Sequence, residues 1–168
     1  MINFHAIAVI VSLSTLSPLG IAGADPLPTE TFKVLPLTLA VEAAEAAIAS
    51  CKAQGYSVTA AIVDRAGNLK VVLVGDGANA LTRELTPRKA YTAAVRRITT
   101  IEMAKAIATP GAFNPTLYDA HMVIAGGGVP IKAGNEVIGG IGVGGAPGGD
   151  KDEACANAGL AKIGERLN

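Results

Sequence analysis

The chain has 168 residues, half of them hydrophobic and only 17% charged, and its 14 Lys and Arg cancel its 14 Asp and Glu. That length fits one domain with a substantial core, and a net charge of zero leaves no electrostatic footprint for a phosphate backbone. Aromatic residues are 4% with no Trp, which also removes the stacking platforms of single-strand binders, so nucleic acid is not an expected partner.

Met1 to Ala24 holds no Lys, Arg, Asp or Glu, is apolar from Ala6 to about Leu19, and closes on Ala22-Gly23-Ala24. This reads as a secretory signal peptide over 1–24, followed by a domain over 25–168 and a periplasmic or secreted location. Ser12, Ser14, Thr15, Ser17 and Pro18 make the apolar run too short and too polar for a membrane anchor. No later segment approaches the ~20 apolar residues of a spanning helix, so stable membrane insertion is not expected.

Asp25 to Pro36 is Pro-rich and reads as an extended arm. Leu37, Val41, Ala44, Ile48 and Cys51 recur at spacings of three and four, predicting one apolar helix face, capped by Thr38 and stopped at Gly55. Tyr56 to Val63 and Leu69 to Val74 read as strands of a hairpin, joined by the turn chemistry of Asp64 to Asn68. Thr86-Pro87 predicts the start of a second helix running to about Arg97, and Thr99 with Glu102 has capping-box spacing ahead of a third.

Thr109 to Asp119 reads as an irregular crossing and His121 to Ala125 as a short strand. Pro130 to Ala133 and Glu136 to Gly144 pair across Gly134-Asn135, and Asp150 with Glu153 caps a closing helix. The order α-ββ-αα-βββ-α predicts an α+β domain with an antiparallel sheet of about five strands flanked by helices. The glycines from Gly126 to Gly149 fall between strands and do not open a helix, which argues against a dinucleotide fingerprint.

Cys51 and Cys155 stand in the first and last helical patterns. They form a disulfide if export carries them to an oxidising compartment and the helices pack side by side, or they are two buried thiols. His121 is the sole imidazole beyond the signal segment, either an iron ligand or a satisfied core or interface histidine. Arg88, Lys89, Arg96 and Arg97 concentrate positive charge just ahead of the helix start at Thr99 and Thr100. Such a corner suits carboxylates, haem propionates included, or else forms a solvated face or subunit contact. Met103 and Ala104 could wall it.

Five blocks, Ser57 to Asn68, Gly75 to Ala78, Arg88 to Ala94, Gly126 to Ile131 and Gly142 to Asp150, resemble the GlcG/HbpS-like haem-binding family. The resemblance implies a profilin-like fold and a homo-oligomer, often an octamer. It also implies one of three settings: secreted haem binding and degradation, glycolate utilisation, or the carboxy-terminal domain of PduO-type corrinoid adenosyltransferases. In the secreted member a threonine ahead of a Ser-Glu-Leu-Ala-Lys stretch ligates the iron. Ile101-Glu-Met-Ala-Lys105 resembles that stretch and places the implied ligand at Thr100. A neutral threonine suits loose, transient capture. The expected protein is thus an exported haem binder, with degrading activity an open extension. The rival is an accessory protein that binds a small organic acid or corrinoid.

Overall fold

A computed structural model describes residues 30–167, and from Thr31 onward the chain forms one compact unit. The expected signal peptide, 1–24, lies outside the described residues. The elements are α1 (Leu37–Ala53), β1 (Thr59–Asp64), β2 (Leu69–Val74), α2 (Ala80–Arg96), α3 (Thr100–Ile107), β3 (Gly128–Ala133), β4 (Glu136–Gly144) and α4 (Gly149–Ile163). The four strands form one antiparallel sheet in the order β2-β1-β4-β3. The α+β architecture is as expected; the sheet has one strand fewer.

The missing strand is His121 to Ala125. Its backbone is held by side chains of α2 rather than by a neighbouring strand: the Val123 N–H donates to Thr92 Oγ1 at 2.9 Å, and Arg88 Nη2 donates to the carbonyls of Ala120 and Met122. Every backbone group needs a partner, and here side chains supply it.

β4 decides the layering. Its Ile141 and Val143 join Ile62, Ile131 and the helices α1 and α4 in the main core. On its opposite face Gly140, Gly142 and Gly144 alternate with them, and α2 lies directly on those glycines. A Cβ at Gly142 would stand 2.3 Å from the Thr86 carbonyl oxygen, and one at Gly140 2.3 Å from that of Ala90. The period-two alternation of apolar residues and glycines therefore puts bulky side chains toward α1 and α4 and bare backbone toward α2.

Local chemistry explains most element ends. Asp64 Oδ1 accepts from the Ala66 and Asn68 N–H groups at 2.9 Å, fixing the first hairpin, and Gly134 at φ +64° closes the second. Thr99 and Glu102 form the expected capping box of α3.

Three other ends differ from expectation. α2 begins six residues before Thr86, capped by Asn79, whose Oδ1 accepts from the Leu81 N–H; Pro87 sits inside the helix. α1 is entered from Pro36 and α4 from Gly148, both without a side-chain cap.

α1 also buries a different stripe, Ala40, Ala43, Ala44, Ala47 and Cys51, leaving Leu37 exposed. Close approach to α4 selects the small residues: a Cβ on Gly159 would meet the Ala43 carbonyl oxygen at 2.4 Å. At this contact Cys51 and Cys155 are joined in a disulfide, with Cα atoms 5.6 Å apart.

Candidate functional site

The basic run of α2 is divided by the helix. Neighbouring positions on a helix do not face each other, and Lys89 points inward while Arg88 reaches sideways. Lys89 Nζ donates to Asp152 Oδ2 and to the Val143 carbonyl, both at 2.9 Å, with the paired side chains 7% and 5% exposed. Asp152 Oδ1 in turn accepts from the Ala146 N–H, so the pair ties α2 to β4 and to the start of α4. Removing one partner of such a pair costs about 3–5 kcal/mol, because the other charge stays buried. Arg88 is occupied by the two loop carbonyls, and Arg96 is exposed.

His121 does not lie in the core. Its side chain is 82% exposed, and both its N–H and Nδ1 lie against Asp119 Oδ1, at 2.8 and 3.1 Å. The Tyr91 hydroxyl donates to Asp119 Oδ2 at 2.8 Å. The His121 backbone N–H, then the Tyr91 hydroxyl, hold the Asp119 carboxyl below its ordinary pKa.

Thr100 is the first residue of α3 and fully buried; its Oγ1 accepts from the Gly128 N–H at 2.9 Å. Met103, one turn on, is buried as well. Both are buried, and Thr100 anchors the start of α3 to the head of β3. The residues on the other side of this anchor face solvent.

There the corner between α2 and α3, the strand β3 and the last turns of α4 enclose an open cleft of about 680 Å³. Arg97 stands at its edge in the left-handed conformation, φ 60°, which ends α2 and turns the chain into α3. Arg97, Lys132, Glu102 and Asn157 supply polar groups; Ile98, Val129, Pro130, Leu160 and Leu167 supply apolar walls. Among the described residues neither Arg97 nor Lys132 has an ion-pair partner. Of the expected site residues only Arg97 lines this cleft; Thr100 and Met103 are buried and do not line it. Lys132, Asn157 and Leu160 were not expected, since they come from segments far apart in sequence. The exposed Lys132 in the otherwise buried β3 was the available signal.

The family model described as haem degrading protein HbpS-like matches residues 35–161. This chain belongs to the HbpS-like family. Among solved structures it is similar to a double mutant of Streptomyces reticuli HbpS, with 39% identity and a TM-score of 0.72 over 82% of this chain and 96% of that one. It is also similar to Klebsiella pneumoniae protein ORFY, with 26% identity and a TM-score of 0.74 over 83% and 98%. PduOC, solved as a haem complex, matches at 26% identity and a TM-score of 0.71 over 78% and 96%. No curated protein matches the chain. The HbpS-like span begins at Leu35, in the arm, and ends at Ala161, at the cleft, so it contains every element of the sheet.

Proposed function

We propose that this protein is exported and binds haem in the cleft between α3, β3 and α4. The observation that carries the reading is the combination of apolar walls with two cations, Arg97 and Lys132, that are unpaired among the described residues, in an HbpS-like chain. Haem is a flat apolar ring edged by two carboxylates, and these residues fit that pattern. The volume is within the range of small-molecule sites, roughly 300–1,000 Å³. The solved haem complex of PduOC supports the ligand, and the charge-free apolar leader ending in Ala22-Gly23-Ala24 supports export.

Arg97 and Lys132 would orient the propionates, while Ile98, Val129 and Leu160 would shield the ring from water. Among the described residues the lining contains no His, Cys, Met or Tyr, the common axial ligands, and its side-chain oxygens are those of Thr99, Glu102 and Asn157. Binding therefore rests on the ring and propionates, which suits capture and release. Bound haem would supply a redox-active iron able to activate oxygen, the chemistry that degradation requires. Thr100, through its bond to Gly128, would hold α3 in place beside the bound ring. The open side of the cleft leaves room for a second subunit, in keeping with the expected homo-oligomer.

The test is a haemin titration followed in the Soret region. Saturable binding is expected for the wild type and for His121→Ala. The Arg97→Ala/Lys132→Ala double variant should bind roughly five- to tenfold more weakly, since each exposed charge pair contributes up to about 1 kcal/mol. A non-saturating rise in all three proteins overturns haem binding and favours the organic-acid reading.

A further inference from the structure

In the cleft between α3, β3 and α4 the acidic and hydroxyl side chains are tied into the cap of α3. Thr99 Oγ1 accepts from the Glu102 N–H at 3.1 Å, and Glu102 Oε2 accepts from the Thr99 N–H at 2.9 Å. Thr100 is fully buried with its Oγ1 on the Gly128 N–H, and His121 does not line the cleft. The groups left for a ligand are the exposed Arg97 and Lys132, beside the apolar side chains of Ile98, Val129 and Leu160. None of these five is a metal ligand. They recognise carboxylates and a flat apolar face, which is the periphery of a tetrapyrrole and not its centre.

We infer that the cleft takes tetrapyrrole dicarboxylates as a class, with or without a metal at the ring centre. The inference rests on the haem-binding reading and extends it to metal-free porphyrin. Haem and its metal-free porphyrin share the ring face and both propionates, so apolar burial and the two cation contacts are the same for each. An axial bond to iron is the interaction that would separate them, and its common donors are missing from the lining among the described residues. What remains is the positive charge of a ferric centre. The exposed Glu102 carboxylate favours it by at most about fivefold, the upper range of an exposed charge pair.

The probe is protoporphyrin IX, titrated into the full protein and read by its fluorescence, beside haemin read in the Soret region. Both should saturate with dissociation constants within about fivefold of each other, and protoporphyrin should displace haemin one for one. The Arg97→Ala/Lys132→Ala variant should weaken both by the same factor. The dimethyl ester of protoporphyrin, which lacks the two charges, should bind roughly five- to tenfold more weakly than the free acid. Glu102→Gln keeps the capping box, since glutamine also accepts the Thr99 N–H, and should leave the Soret maximum of bound haemin in place. Saturable haemin binding with protoporphyrin weaker by more than about fivefold overturns the inference and leaves haem binding standing. A Soret maximum displaced by Glu102→Gln does the same, because it would show the carboxylate on the iron. If neither compound saturates, the haem-binding reading falls and this inference with it.

Discussion

Burial, followed by the neighbouring Glu102 carboxylate, raises the pKa of Glu153 above the ordinary glutamate value, although Thr99 and Lys105 pull it back. Its Oε2 is buried without a partner among the described residues. The folded state therefore holds the proton more tightly than the unfolded chain does. The contribution of Glu153 to stability is most favourable below the ordinary glutamate pKa and falls as pH rises through the raised folded value. Glu153→Gln removes this penalty. Melting curves against pH should show the variant more stable than wild type at neutral pH, with the difference closing in acid; a constant offset would contradict the assignment. Residue roles were only partly legible beforehand. Arg88 and Lys89 are adjacent charges in sequence, and only the phase of α2 against β4 separates a buried ion pair from a loop anchor. Asp64, by contrast, acts within four residues of itself, so its turn role is written locally.

Elements whose ends depend on local chemistry were the readable ones. The Thr99–Glu102 box and the Gly134-Asn135 turn need nothing beyond a few neighbouring residues. The start of α2 was misplaced because Thr86-Pro87 imitates a cap. Asn79 forms the real one, and the helix accepts Pro87 in its interior. His121 to Ala125 has the composition of a strand, but Thr92 and Arg88 capture its backbone. The glycine face of β4 carries its own prediction. Ala at Gly142 would drive a Cβ against the Thr86 carbonyl and the Ala90 nitrogen, backbone atoms that cannot swing aside. Gly142→Ala should cost about 1–3 kcal/mol or more by overpacking. Gly134→Ala, with open space around it and only its positive φ to strain, should cost about 1–2 kcal/mol. Denaturant unfolding of both checks the order, and a smaller loss at Gly142 would contradict the layering.

At the scale of the whole molecule, the disulfide joins residues 104 positions apart and closes most of the domain into one loop. A loop of that length restricts the unfolded chain by about 4–5 kcal/mol in the chain-entropy account. Unfolding with and without reductant should show a loss of that order; an unchanged midpoint would mean the bond adds nothing to folding. The sequence left disulfide and thiols open, because only the packing of α1 on α4 brings the sulfurs together. The cleft was hidden for the same reason, since Arg97, Lys132 and Asn157 meet only once sheet and helices are assembled. The measurement that bears most directly on the proposed function is an amide map of the protein with paramagnetic haemin. Broadening centred on Arg97 to Glu102, Val129 to Lys132 and Asn157 to Ala161 is predicted, with the His121 region unaffected. Broadening centred on His121, or spread evenly over the surface, would contradict haem binding in this cleft.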